Sequence, residues 1–315
     1  MAENFYIAFN AVAPLSGYIL IGVLARKFKI ADEELFRKMN SFVFRMLFPI
    51  VMFSNIYKAD FTASTDLKLV SFILIGTALL AGILVFAVPR YYIKDDPGSA
   101  ATFIQACYRS NLLLFGIPMA SSVFGADQVG LVSVVCSFLI PLYNFISVIE
   151  FEYLCGGSSD HIKLLKNIVT NPLMLGAIAG LIVCLSGIPV PQFMQRMVSE
   201  ITSGSTFLSL VILGGTLRFV KTRSGIQHLA VCVFLSLAVI PFVMVGLGTL
   251  LGFRGIKLFA VLVAFAAPVS VSSYSLACNM GGNADLSSQT ICVSTLLSVF
   301  TLFFWISLLL SMQLI

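Results

Sequence analysis

Of 315 residues, 59% are hydrophobic and 10% charged, with a mean hydropathy of +1.01; soluble domains carry about 25% charged residues, so the chain reads as an all-α polytopic membrane protein. The net charge of +5 reflects Lys and Arg gathered in one set of loops, which gives no reason to expect nucleic acid as a partner. Seven cysteines without a CxxC pair, and two histidines in or beside loops, offer neither a metal cluster nor a Ser-His-Asp site within the membrane, and no cofactor is implied.

Ten apolar segments, each near the roughly 20 residues that cross a bilayer, can be drawn at roughly 5–25, 37–57, 67–88, 100–123, 128–153, 166–187, 192–217, 226–250, 257–280 and 286–312. They use most of the chain, and the short connections leave no room for a catalytic or nucleotide-binding domain, so an enzyme is not expected. Span one has Glu3 ahead of it and Arg26, Lys27 and Lys29 behind it, the reverse of a signal peptide, and is expected to be retained. Span two contains Arg45, near enough to its end to snorkel.

Spans four and nine contain Pro118 and Pro268, 150 residues apart. Proline removes a backbone donor and clashes with the preceding turn, so each span is expected to break, with the proline starting the second half-helix. Lipid tolerates such backbone only where it lines a protein cavity. Paired breaks in two membrane halves point to a transporter's binding site. Two half-helix N-termini, each worth about half a positive charge, then meet near one point and suit a carboxylate or other small anion.

Around the first break lie Gln105, Tyr108, Arg109, Ser110, Asn111 and Gly116; around the second, Ser270, Ser272, Ser273, Tyr274, Ser275 and Asn279. On a helix Arg109 and Asn111 are separated by about 200°, so both reach one ligand only if the backbone is unwound there. Asn111 both donates and accepts, which suits a carboxylate, and equally an interhelical hydrogen bond. A buried arginine is a functional candidate: Arg109 either attracts an anion or pairs with a carboxylate, and Glu150 and Glu152 near the end of span five are the nearest candidates. Mid-membrane has no pair of acids, which leaves coupling to an ion open.

The loop beginning Cys155-Gly156-Gly157 divides the chain into halves at 1–154 and 166–315, joined by a cytosolic linker at 155–165. Five spans per half is an odd number, so the second half is expected to be inverted relative to the first. Gly176 and Gly180 in span six, and Gly248 and Gly252 in span eight, have the GxxxG spacing that lets helices approach closely. Twelve Lys and Arg residues fall in loops on one side and five on the other, which places both termini on the non-cytosolic face of a cell membrane.

Taken in order, Ala13-Pro14-Leu15, Met39-Asn40-Ser41-Phe42-Val43 with Pro49, Asn111-Leu112-Leu113-Leu114-Phe115-Gly116-Ile117-Pro118, Phe151-Glu152-Tyr153, Asn171-Pro172, Leu213-Gly214-Gly215 and Ala267-Pro268 resemble the auxin efflux carrier family over nearly the whole chain. The resemblance implies ten spans in two inverted five-helix repeats, with broken helices four and nine crossing at their prolines, a fold shared with sodium-coupled bile-acid symporters. It further implies a scaffold of spans 1, 2, 6 and 7, often dimeric, against which a transport unit of spans 3–5 and 8–10 moves like an elevator. The implied cargo is a small organic acid. Asn111 would then be a substrate ligand, with Arg109, Tyr108, Gly116, Ser272, Ser273 and Asn279 nearby, Pro118 and Pro268 the crossover, and Phe48 with Pro49 the scaffold side. Glu150 and Glu152 are the candidates for coupling. The long hydrophilic loop of the plant members is absent. A sodium-coupled symporter and a membrane sensor that binds without translocating are the alternatives.

Overall fold

The computed structural model describes residues 2–57, 66–125, 129–156, 161–186, 189–217 and 223–315, and every regular element among them is helical. In chain order these are α1 (Ala2–Lys27), α2 (Glu33–Phe42), α3 (Phe48–Tyr57), α4 (Leu67–Ala87), α5 (Pro97–Tyr108), α6 (Leu112–Phe124), α7 (Val129–Cys155) and α8 (His161–Thr170). There follow α9 (Pro172–Ser186), α10 (Gln192–Thr216), α11 (Arg223–Phe234), α12 (Ile240–Leu250), α13 (Ile256–Ala266), α14 (Ser272–Asn279) and α15 (Ala284–Ser311). Single π-helical turns join α2 to α3 at Val43–Leu47 and α11 to α12 at Leu235–Val239, and another extends α4 at Val88–Tyr92. Among the described residues six of the resulting rods are long and apolar enough to cross a membrane: Glu33–Tyr57, Leu67–Tyr92, Gly130–Cys155, Gln192–Thr216, Gly225–Leu250 and Ala284–Ser311.

The helix starts are written locally. Asp32, Asp66, Asp96 and Asn283 each accept a hydrogen bond from the backbone N–H three residues on, at 2.7, 3.1, 2.9 and 2.9 Å, satisfying a donor that the first turn would otherwise leave bare. The sixth apolar segment, expected at roughly 166–187, is interrupted: α8 ends at Thr170 and the apolar helix α9 begins at Pro172. The cause is Asn171-Pro172: proline disfavours helical backbone in the residue before it, and the Asn171 side chain accepts from the Leu173 N–H at 3.0 Å to start a new helix.

Two helix pairs pack backbone to backbone. A Cβ added to Gly22 of α1 would lie 1.9 Å from the Val211 carbonyl oxygen of α10, and one on Gly214 would lie 1.9 Å from that of Ile19. Between α3 and α9, a Cβ on Gly176 would lie 2.2 Å from the Pro49 oxygen, and Gly180 faces Phe53 at 2.8 Å. The GxxxG of span six thus serves close approach. That of span eight does not: Gly252 sits in the turn after α12 with φ +87°, a backbone setting that glycine tolerates best. Both pairs run parallel. Tyr18 meets Phe207 while Arg26 reaches the Gly215 and Leu217 carbonyls at the far end of α10, and Pro49 and Phe53 meet Gly176 and Gly180 in the same order.

The centre is occupied by α13, whose residues from Leu258 to Ala266 are all buried; a helix apolar all round belongs inside. Beyond it the chain unwinds at Ala267–Val271, and it also unwinds between α5 and α6 at Arg109–Asn111. The two unwound stretches pair with each other. Asn111 N–H donates to the Pro268 carbonyl at 2.7 Å and Ser270 N–H to the Arg109 carbonyl at 3.1 Å, an antiparallel bridge of Ser110 with Val269. Buried backbone freed from two helices is thereby satisfied.

Pro118 is not at this crossing. It lies inside α6, seven residues after Asn111, so the expectation that it starts the second half-helix is corrected. Pro268 does set its break, holding Ala267 extended at φ −62°, ψ 147°. The first break contains no proline, and its extended backbone is held by the bonds it exchanges with the second.

Candidate functional site

The crossing forms one wall of a cavity of about 100 Å³. Arg109, Ser110 and Asn111 line it from the first break, Leu112, Leu113 and Leu114 from the first turn of α6, and Ser270, Val271 and Ser272 from the second break and the start of α14. Phe48, Val51, Met52 and Asn55 of α3, Ile140 and Tyr143 of α7, and Ser205, Thr206 and Ser209 of α10 complete it. The first N–H groups of a helix have no intrahelical partner, and here the N-termini of α6 and α14 both reach the cavity. Asn111 occupies the N-cap of α6, and its side chain caps nothing. Its carboxamide makes no hydrogen bond among the described residues and remains free to meet a ligand.

Arg109 is 3% exposed, yet it touches the cavity. Its guanidinium donates to Asn144 Oδ1 at 2.6 Å, Ser147 Oγ at 3.0 Å and Ser272 Oγ at 2.7 Å. All three acceptors are neutral. Neither Glu150 nor Glu152 lies within ion-pair distance of Arg109, so the expected contact with a carboxylate is replaced by a cage of neutral acceptors, and Glu150 acts on the charge only from beyond Ser147 and Tyr108. Behind Arg109, the Tyr108 hydroxyl donates to Glu150 Oε2 at 2.7 Å and lies 2.8 Å from Ser147 Oγ. Ser110 and Tyr143 both donate to the Ala264 carbonyl, at 2.7 and 3.1 Å, which ties the break to the end of α13.

The structure therefore brings Arg109, Asn111, Ser272 and Phe48 onto one cavity, because the unwinding at 109–111 removes the 200° separation that a continuous helix would impose. The other expected contacts are corrected as follows. Tyr108 is buried behind the cavity wall. Gly116 packs in the interior of α6, where an added Cβ would meet Leu112, Val132 and Val263. Ser273 is buried with its hydroxyl unpaired and does not line the cavity.

Asn279 lines a separate polar cavity of about 430 Å³ with Arg45, Glu152, Asn167 and Asn171. Glu152 there accepts from Asn167 at 3.1 Å, so the two acids proposed together for coupling stand in different surroundings. Sequence reasoning missed Asn144 and Ser147. With Glu150 they form a polar stripe at i, i+3 and i+6 on a largely apolar helix, and that stripe was the available signal. It also missed Ser205, Thr206 and Ser209, a hydroxyl stripe on α10.

A family model described as "Membrane transport protein" matches residues 7–151 and 159–306. An uncharacterized transporter of Methanothermobacter thermautotrophicus is 25% identical over 288 residues, 91% of this chain and 93% of that protein. One from Methanocaldococcus jannaschii is 20% identical over 292 residues, 91% of this chain and 94% of that protein.

Proposed function

Because the chain belongs to the membrane transport protein family, that of the auxin efflux carriers, we propose that it carries small organic anions across the membrane by alternating access. The observation that carries this reading is the lining of the crossing cavity: two helix N-termini, the free Asn111 carboxamide and the Arg109 guanidinium converge there, and no carboxylate joins them. Donors and a positive charge that no lining carboxylate touches select an anion. The apolar side chains of Phe48, Val51 and Met52 opposite them suit the carbon skeleton of an organic acid.

Ten spans in two inverted repeats fit the same reading. The parallel runs of α1 with α10 and of α3 with α9 agree with alternating spans numbered one and seven, two and six. These four helices form the proposed scaffold, locked by glycine contacts, and the crossing belongs to the unit that moves against it.

The test is uptake of labelled mono- and dicarboxylates into liposomes containing the purified protein, with and without sodium, proton and voltage gradients. Saturable flux of one acid, lost in Asn111→Ala while thermal stability is kept, is the expected outcome. Saturable binding without flux under every gradient would sink the carrier reading in favour of a sensor.

A further inference from the structure

Glu150 is 2% exposed, and its Oε1 has no hydrogen-bond partner. Its Oε2 ends a directed chain of hydrogen bonds. Arg109 donates to Ser147, Ser147 is left to donate to the Tyr108 oxygen, and Tyr108 donates to Glu150, at 3.0, 2.8 and 2.7 Å. Gln105, one turn before Arg109, is fully buried with both side-chain polar atoms unpaired, and its backbone faces the same carboxylate. A guanidinium at the cavity wall and a carboxylate in the interior are thus joined through two hydroxyls without touching.

The groups that face Glu150 are few. From α5 and the break that follows it they are Cys107, Tyr108 and Arg109, and from its own helix Cys155; Glu152 of the same helix accepts from Asn167 in the other cavity. The charged residues of α4 and α13, Lys68 and Lys257, bond at the other end of the molecule, to the Leu251 carbonyl and to Asp66. Tyr57 and Cys184 stand in the last turns of α3 and α9, at the ends remote from Asn171, and α6 carries no titratable side chain. Lys166 of α8 is exposed to solvent. Arg109 is therefore the one cation acting on Glu150 among the described residues.

We propose that Glu150 is a proton site coupled to anion binding at Arg109, so that one proton is carried with each anion; this rests on the carrier reading above. When a substrate carboxylate meets Arg109, the positive charge that balanced Glu150 is taken up by the substrate. A buried carboxylate left without a counter-charge is strongly disfavoured, and it regains neutrality by taking up a solvated proton from the bulk solution. Glu150 then holds the proton as a carboxylic acid, and loses it when the anion leaves. Linkage requires the converse: protonation of Glu150 frees the Arg109 charge and tightens anion binding by the same factor.

The test uses the full chain in liposomes with labelled malonate as the probe. Exchange against internal malonate is measured without gradients, then net uptake under an inward proton gradient, for wild type and Glu150→Gln, whose amide keeps an acceptor for Tyr108. We expect exchange in both proteins, and concentrative uptake driven by protons in wild type alone. Malonate affinity should rise by up to tenfold per unit fall in pH in wild type and stay flat in the variant; the probe's own ionisation is common to both and cancels in the comparison. Exchange in both with an equal response to the proton gradient overturns the proton site and leaves the carrier reading standing. An acid from the panel above replaces malonate where malonate is not exchanged, and no exchange of any of them in wild type overturns the carrier reading and this proposal with it. Should the variant alone fail to exchange, calorimetry of malonate binding to wild type in two buffers of different ionisation enthalpy decides: one proton taken up per malonate supports the site, none overturns it.

Discussion

At the scale of single residues, the cost of burying Arg109 explains its surroundings. A desolvated guanidinium must have its N–H groups paired, and Asn144, Ser147 and Ser272 do this from two different helices at 2.6, 3.0 and 2.7 Å. Because the acceptors are neutral, the charge remains available to a ligand. Replacing Arg109 by Gln removes that charge while keeping one donor. A hydrogen bond involving a charged group is worth about 1.5–3 kcal/mol, so the half-saturating anion concentration should rise between about ten- and a hundredfold. Lysine should restore little of this loss, since a single ammonium lacks the planar fork that reaches three acceptors at once. Equal affinities in wild type and Arg109→Gln, measured by calorimetry on the same acid, would remove Arg109 from the site. The importance of Arg109 was legible in the sequence, as a charge inside an apolar span. Its cage was not, because Asn144 and Ser147 become its partners only once α7 packs beside α5.

At the scale of elements, the sequence announced that spans four and nine break but misplaced the first break. Proline is a strong local signal, and Pro268 acted as one. Pro118 did not, because the unwinding at Arg109–Asn111 is held by bonds to another segment more than 150 residues away, and no local pattern encodes that pairing. The helix starts were more legible, since Asp32, Asp66, Asp96 and Asn283 act within three residues of themselves. Asp66 also joins α4 to α13 through Lys257, whose Nζ lies 2.6 Å from its carboxylate. That hydrogen bond, with help from the Leu69 N–H, holds the Asp66 carboxyl below its ordinary value. A carboxyl with a lowered pKa in the folded state stabilises above its unfolded value of about 3.9, and that stabilisation disappears as pH falls through the folded value. Asp66→Asn keeps the cap on Leu69 and loses the charge. It should therefore melt slightly below wild type at neutral pH, by an amount equivalent to about 1 kcal/mol or less because the pair is partly exposed. The gap should begin to narrow as pH falls below about 4 and close only below the lowered folded value, where wild-type Asp66 is itself protonated, and it should shrink in high salt. A gap that persists unchanged in acid would mean that the pair contributes nothing through its charge.

At the scale of the whole molecule, the arrangement of cavities defines which side of the crossing is open. The cavity at the crossing shares Asn55, Leu113 and Ile140 with a neighbouring one of about 230 Å³ lined by Ser54, Ser133, Ser137 and Thr202, toward the end of α3. It shares no residue with the polar cavity of Arg45, Glu152, Asn171 and Asn279 at the other end. Between them Asn40 of α2 accepts a hydrogen bond of 2.5 Å from Ser275 of α14, and Phe44 and Phe48 are both 5% exposed, so a polar clasp and two aromatic rings close the path. The clasp joins an element of the proposed scaffold to one of the proposed moving unit, where alternating access requires a contact that can be made and broken. Under the orientation expected from the loop bias of Lys and Arg, with the Arg45 end in the cytosol, the proposed carrier has its crossing cavity continued toward the exterior in this conformer. With native cysteines replaced, Thr202→Cys should react with a membrane-impermeant maleimide added outside intact cells, and Asn279→Cys only after the membrane is opened. Transported anion should change the rate at Thr202→Cys, because a moving unit carries the crossing away from the exterior path. Ser275→Ala should shift the resting population toward the opposite conformer and slow the exterior labelling. Labelling of Asn279→Cys from outside would reverse the assigned orientation, and labelling rates indifferent to both anion and Ser275→Ala would mean that the clasp is not a gate.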